Sequence, residues 1–294
     1  MAEKAGNGAL FEAEEQKTFL TGRPHREFAE PKELDRHGPA KIISMVNQKG
    51  GVGKTTSTIN LGASLVEQGR KVLLVDLDPQ GALSAGLGVP HDEDQVTVYD
   101  LLFDNTASIH AAIKHSKVSG LDLVPANIDL SAAEIQLVNE VGREHTLARA
   151  LRPVRGEYDY IFIDCGPSLG LLTVNALAAS QGVIIPMEGE YYSLRGLALL
   201  TDTVEKVRDR INFDLDIVGI LVTMFDRRTT HAREVMDRVV EVFGDRVFDT
   251  VITRTVRFPE TSVAGEPITT WAPNSQGADQ YRSLALEVME RVER

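Results

Sequence analysis

The chain has 294 residues, with 31 Lys and Arg against 43 Asp and Glu and a formal net charge of −12. That length allows one large α/β core or one core plus an appendage, and the acidic balance excludes a nucleic-acid footprint spread over the whole surface, leaving room only for a local basic patch. A single cysteine, Cys165, excludes an internal disulfide framework or a four-cysteine iron–sulfur site within one chain and points to a reducing cytoplasm. No apolar run is long enough to span a bilayer, and the amino terminus lacks an apolar signal core.

Residues 1–40 mix Glu, Lys, Arg and Gly with Pro24, Pro31 and Pro39 and show no sustained periodicity, which predicts a flexible amino-terminal arm. Phe11, Phe19, Leu20 and Phe28 are spaced apolar residues in it. They either bind a partner or lie back on the domain. From Lys41 strands and helices alternate to the end, which predicts one domain over 41–294. Its class is α/β, with a mostly parallel twisted sheet flanked by helices on both faces.

Residues 42–46 read as a strand, and 58–66 have helical spacing. Between them runs Gln48-Lys49-Gly50-Gly51-Val52-Gly53-Lys54-Thr55-Thr56. Strand, glycine-rich turn and helix are the context of a phosphate-binding loop. Glycines let backbone N–H groups turn inward, and the helix start adds its positive end. Residues 49–56 are therefore the candidate ATP site, with Lys54 on the β- and γ-phosphates and Thr55 on Mg²⁺.

A buried strand over 72–75 ends in Asp76-Leu77-Asp78-Pro79-Gln80-Gly81. Short helical pieces within 96–118 and a strand over 121–125 follow, then a helix over 130–151 broken near Gly142. The strand 158–164 runs apolar into Asp164, and a helix over 171–179 leads to a strand over 183–186. Leu194, Leu197, Val204, Val207 and Ile211 trace one face of a long helix. A strand over 217–223, a helix through Val235, Val239 and Val242, a loop near 253–255 and a last helix over 276–292 complete the pattern. Carboxylates that serve a nucleotide belong at the carboxyl ends of such strands. Asp164 fits the acid that holds Mg²⁺, and Asp76 and Asp78, two apart, share one face of extended chain. The 7 histidines show no metal-ligand spacing.

The loop departs from the plain template because Gln48 replaces the first glycine and a second lysine, Lys49, stands inside it. This deviant Walker A pattern resembles the ParA/MinD superfamily of P-loop NTPases. The likeness to its ParA/Soj family extends over nearly all of 41–294, through Asp76-Leu77-Asp78-Pro79-Gln80-Gly81, Ile163-Asp164-Cys165-Gly166-Pro167-Ser168, Glu190-Tyr191-Tyr192-Ser193-Leu194 and Val251-Ile252-Thr253-Arg254-Thr255-Val256-Arg257. The resemblance implies an ATPase in which Asp78 orients the attacking water, Asp76 supports the metal shell and Lys49 reaches the nucleotide of a second subunit. It also implies an ATP-dependent homodimer that binds DNA without sequence preference through Arg228 and Arg257, with Arg227 and Arg254 beside them. A ParB-like or division-related partner would stimulate slow hydrolysis, in a cytoplasmic, nucleoid-associated protein that does not enter the membrane. Gly166, Thr253, Ala82 and Arg195 depart from the usual family residues. Alternatives are a MinD-like membrane positioner with an amphipathic end, a metabolic synthetase using the same loop and a P-loop tyrosine kinase.

Overall fold

The computed structural model describes residues 18–89, 92 and 94–293. From β1 (Lys41–Met45) the chain passes through the glycine loop into α1 (Lys54–Glu67) and β2 (Val72–Leu77). Then α2 (Ala82–Gly86), α3 (Val98–Phe103), α4 (Ile109–Ala112) and the two-residue β3 (Lys114–His115) lead to β4 (Leu121–Val124). Next come α5 (Leu130–Leu137), α6 (Thr146–Leu151), β5 (Tyr160–Cys165), α7 (Leu171–Ala179) and β6 (Gly182–Glu188). The carboxyl half adds α8 (Tyr191–Arg210), β7 (Asp216–Thr223), α9 (Thr230–Phe243), α10 (Arg257–Ala264), α11 (Ile268–Trp271) and α12 (Gln276–Val292).

The strands form one sheet in the order β3-β4-β2-β5-β1-β6-β7. All neighbours are parallel except β3, which runs against β4. Both faces are covered, so the strands are apolar on both sides and their period of two sorts side chains between two cores. Ile42, Leu73, Val75, Ile161 and Ile163 face one core with residues of α7, α8 and α9. Ile43, Met45, Leu74, Tyr160 and Phe162 face the other, built with α1 and α12. By the same parity Asp76 and Asp164 fall on the α1 side, directly opposite each other in the β2–β5 register. Cys165 takes the other face and is buried.

Residues 18–40 hold no helix, yet they lie on the domain. Arg23 Nη1 donates to Asp249 Oδ1 at 2.8 Å and to the Val247 carbonyl at 2.9 Å. Arg26 pairs with Glu290 at 2.7 Å, and His37 Nδ1 meets Asp159 Oδ2 at 2.7 Å. Buried Glu287 on α12 accepts the Asp249 and Thr250 N–H groups at 2.9 Å each, so the segment under Arg23 is itself anchored. For Phe19, Leu20 and Phe28, Phe19 stacks on His25 and Phe28, and Leu20 packs against the core, so they lie back on the domain; Phe11 is outside the described residues. The boundary at 41 thus marks where the sheet starts, and not where contact with the domain starts.

Candidate nucleotide and metal site

The loop between β1 and α1 is built for backbone donors. Gly51 and Gly53 take left-handed φ values of +74° and +84°, a conformation that costs glycine nothing. A Cβ placed at Gly50 or Gly51 would meet no atom within 4 Å, so open space fronts the loop. Thr223, at the end of β7, braces the loop from behind, its hydroxyl donating to the Val52 carbonyl at 2.8 Å. Asn47 ties the entry, with Nδ2 on the Pro186 carbonyl at 2.6 Å and Oδ1 accepting the Lys49 N–H at 2.9 Å.

The two lysines part company. Lys54 is buried at the start of α1 and donates across the loop to the Lys49 carbonyl at 3.3 Å. Burial lowers its ammonium pKa, opposed by the Asp164 carboxylate. Lys49 turns outward and donates to Glu188 Oε2 at 2.5 Å and Glu190 Oε2 at 2.7 Å, at the end of β6 and the start of α8. Those bonds, Glu188 first, raise its pKa. The sequence reading named Lys49 but not its two holders. They lie some 140 positions away in the chain, and nothing local marks them.

Three carboxylates converge on the front of α1. Thr55 Oγ1 donates to Asp164 Oδ2 at 2.6 Å, and Thr58 Oγ1 reaches Asp164 Oδ1 at 3.4 Å. Asp76 accepts the Asp78 N–H at 3.2 Å, the Ser84 N–H at 3.3 Å and the Ser84 hydroxyl at 3.4 Å. The strand ends at Leu77, so extended-chain parity stops one residue short of Asp78. Its Oδ1 instead accepts the Gln80 N–H at 3.0 Å in a turn. Gly166 lies beside it, and a Cβ there would stand 3.5 Å from the Asp78 Cγ. Thr253 also departs from the family pattern, and its N–H and hydroxyl both donate to Gln280 Oε1, at 3.1 and 3.2 Å. The resemblance implies proline at this position, which could make neither bond.

The donors fit Mg²⁺ with a polyphosphate. Thr55 and Asp164 offer hard oxygens, and among the described residues no group of three or more His, Cys, Asp or Glu forms a self-contained cage. Mg²⁺ suits such a partial shell, since it takes one or two protein oxygens and completes its octahedron with water and phosphate. Thr55 and Asp164 would hold the ion, with Asp76 behind them. When bound, it would neutralise charge on the phosphates.

Burial, then the Asp164 charge, pushes Asp76 up to about 8. Burial pushes Asp164 up to about 7, against the Thr55 hydrogen bond and the Lys54 charge. Both values lie above the ordinary 3.8, so these groups favour folding while protonated. Their contribution is full below about pH 4 and is lost as pH rises towards about 8, because the unfolded chain ionises first. A bound cation favours the ionised form. Mg–nucleotide binding near neutral pH is therefore expected to release protons and to tighten as pH rises. Calorimetry in buffers of different ionisation enthalpy reads the release directly. Heats that do not depend on the buffer would contradict these assignments.

The structure gathers residues 49–56, Asp76, Asp78 and Asp164 into this one site. Arg228 and Arg257 sit on two other segments, which are joined to each other. Phe225 N–H donates to the Ile252 carbonyl at 3.0 Å, and Arg254 N–H to the Phe225 carbonyl at 3.2 Å. Met224, just before that junction, holds a left-handed φ of 52°. Arg228 is exposed and forks onto Asp226 at 3.0 and 3.1 Å. Arg257 and Arg254 have no ion-pair partner among the described residues, and both line a cavity of about 470 Å³ with Trp271 and Ser275.

The AAA domain family matches residues 40–217. The sporulation initiation inhibitor protein Soj of Bacillus subtilis (strain 168) is 50% identical over 84% of this chain and 98% of its own length. The chromosome partitioning protein ParA of Myxococcus xanthus (strain DK1622) is 47% identical, over 85% of this chain and 88% of its own. A solved structure of cobyrinic acid a,c-diamide synthase from Mycobacterium smegmatis, with bound ADP and magnesium, superposes with a TM-score of 0.75 at 39% identity. It covers 87% of this chain and 97% of that one.

Proposed function

Because this chain belongs to the Soj/ParA family of chromosome-partitioning P-loop ATPases, we propose that it is an ATP-driven switch that positions chromosomal or division cargo. Two copies loaded with ATP and Mg²⁺ close into a homodimer that grips DNA without reading its sequence. Slow hydrolysis, speeded by a ParB-like or division-related partner, releases the grip. The protein works in the cytoplasm on the nucleoid.

The observation that carries this reading is the split between the lysines. Lys54 is committed to its own loop, whereas Lys49 points away from it and is held by the carboxylates of partly buried Glu188 and exposed Glu190. A lysine so placed is free to cross to a second copy. Lys54 and the loop N–H groups bind phosphate in cis, Thr55 and Asp164 supply cation oxygens, and Asp78 accepts a hydrogen bond from the attacking water. Water forms a bond to the γ-phosphorus as the bond to the ADP oxygen breaks, so neither a redox step nor a covalent protein intermediate is required.

For DNA, the backbone bonds between Phe225, Ile252 and Arg254 tie the segment of Arg228 to that of Arg254 and Arg257, which supports a shared role for these arginines. The Arg228–Asp226 pair is exposed and so easily exchanged for a phosphate. Binding to random-sequence duplex DNA is expected with ATP and not with ADP, and to fall steeply with salt. Arg257→Ala is expected to weaken it by about 10-fold and to lower the salt slope by about one ion. Salt-independent binding, or an unchanged Arg257→Ala, would count against the arrangement.

A membrane-positioning role is less favoured. The apolar face of α12, with Tyr281, Leu284 and Val288, is buried against the core that includes α1. Among the described residues no helix is long and apolar enough to cross a membrane. The synthase name of the M. smegmatis structure raises a second reading, ATP-dependent activation of a carboxylate acceptor. Turnover that required cobyrinic acid and ignored DNA would select it.

A further inference from the structure

The cavity of about 470 Å³ between the 253–257 segment and the start of α12 is basic and aromatic. Among the described residues Arg254 and Arg257 are the charged groups in its wall, and no acid lines it. Trp271, the chain's one tryptophan, stands in the same wall and is 47% exposed. Acids around it are engaged or set apart. Glu190 and Asp226 pair with Lys49 and Arg228 and meet Arg254 only as a more distant charge. Glu260 follows Arg257 by three residues on α10, yet no ion pair joins them. Two guanidinium groups without a carboxylate, beside an exposed aromatic ring, suit an acidic segment that carries an aromatic side chain.

The chain carries such a segment, and it joins the domain next door. Thr18 and Phe19 line a second cavity, of about 320 Å³, with Arg227 and Gln276, and Gln276 also lines the first. The two cavities therefore adjoin at the start of α12. In the second, Asp249 and Asp279 are paired with Arg23 and Arg282, whereas Arg227 has no ion-pair partner among the described residues. Residues 5–16, upstream of Thr18, contain Leu10, Phe11, Glu12, Glu14 and Glu15 and neither Lys nor Arg. Glu15 is three positions from Thr18 and Phe11 is seven, so extended chain reaches at most about 10 Å and about 25 Å from that point. A segment tethered this close acts at an effective concentration on the order of millimolar, so individually weak contacts suffice.

We propose that residues 10–15 fold back into the Arg254–Arg257 cavity and compete there with DNA, so that the arm sets how readily the ATP-loaded protein binds a duplex. The proposal rests on the DNA reading above. Phe11 packs on Trp271, and Glu12, Glu14 and Glu15 meet Arg227, Arg254 and Arg257 in place of backbone phosphates. Segment and DNA exclude each other because both draw on the same guanidinium groups.

The test uses the full chain in three forms. They are wild type, the triple variant Glu12→Gln, Glu14→Gln, Glu15→Gln, and a control triple, Glu27→Gln, Glu30→Gln, Glu33→Gln. The control removes the same charge from exposed positions further along the arm. Trp271, as the single tryptophan, reports the cavity directly. Without nucleotide or DNA, its quenching by acrylamide is expected to rise at least about 2-fold in the first triple, and in Phe11→Ala, and to stay at the wild-type level in the control. With ATP, the first triple is expected to bind random-sequence duplex at least about 5-fold more tightly, the worth of two or three exposed charge pairs, and the control to match wild type. Unchanged quenching in the first triple overturns the proposal and leaves the DNA reading standing. Raised quenching with unchanged DNA affinity also overturns it, since docking would then not compete. Equal tightening in both triples overturns it as well, because net charge alone would be the cause. If neither wild type nor the first triple binds DNA with ATP, the DNA reading falls and the proposal with it.

Discussion

Alanine at Lys54 and alanine at Lys49 are expected to break different steps. Lys54→Ala should weaken Mg–ATP binding to the monomer by roughly 10- to 150-fold, the cost of a hydrogen bond to a charged group. Lys54 is the buried cation at the mouth of the loop, and the Asp164 charge beside it would then face the phosphates unscreened. Lys49→Ala should leave that affinity within about 5-fold, because the bonds it loses are exposed ion pairs. It should nevertheless abolish the ATP-dependent dimer and turnover. A fluorescent ATP analogue reports the first quantity and light scattering the second. Equal loss of monomer affinity in both variants would remove the trans role of Lys49.

Asp78→Ala should cut turnover by about 10²- to 10⁴-fold, the range for loss of a group that handles a proton or orients a nucleophile. Its Oδ1 is used by the Gln80 N–H, and among the described residues Oδ2 has no hydrogen-bond partner. That oxygen stands beside Gly166, which has no side chain to cover it. Nucleotide binding, which depends on the loop and Lys54, should persist, so the variant should accumulate as an ATP-loaded dimer on DNA. Single-turnover phosphate release, set against dimer lifetime, separates this from a folding defect. Normal turnover with normal binding would take Asp78 out of the chemistry.

Much of this site was legible in the sequence because its parts are local. Residues 49–56 carry their own turn geometry, and Asp76 and Asp164 each end an apolar run. The long helices at 191–210 and 276–292 announce themselves by a 3.6-residue period. What stayed hidden depends on the third dimension. The β2–β5 register sets Asp76 opposite Asp164, and only folding can do that. Glu188 and Glu190 reach Lys49 only after β6 docks beside β1. Two-residue β3 has no period to detect. α10 is masked by Pro259, which is tolerated because it sits in the first turn. Residues 18–40 lack periodicity and still hold the domain, by single arginine and histidine contacts instead of a repeating face.

The burial of Cys165 has a practical consequence. It is the chain's one thiol, 1% exposed, with burial raising its pKa above the ordinary thiol range. Reagents that need a thiolate will find the closed protein silent. A cysteine introduced at a solvent-facing position can then carry a dye without background, which opens the two-copy state to energy-transfer measurement. The native thiol becomes a clock in its own right. It stands next to Asp164, at the root of the 166–170 loop, so the rate at which it slowly reacts counts the moments when that corner of the molecule is open.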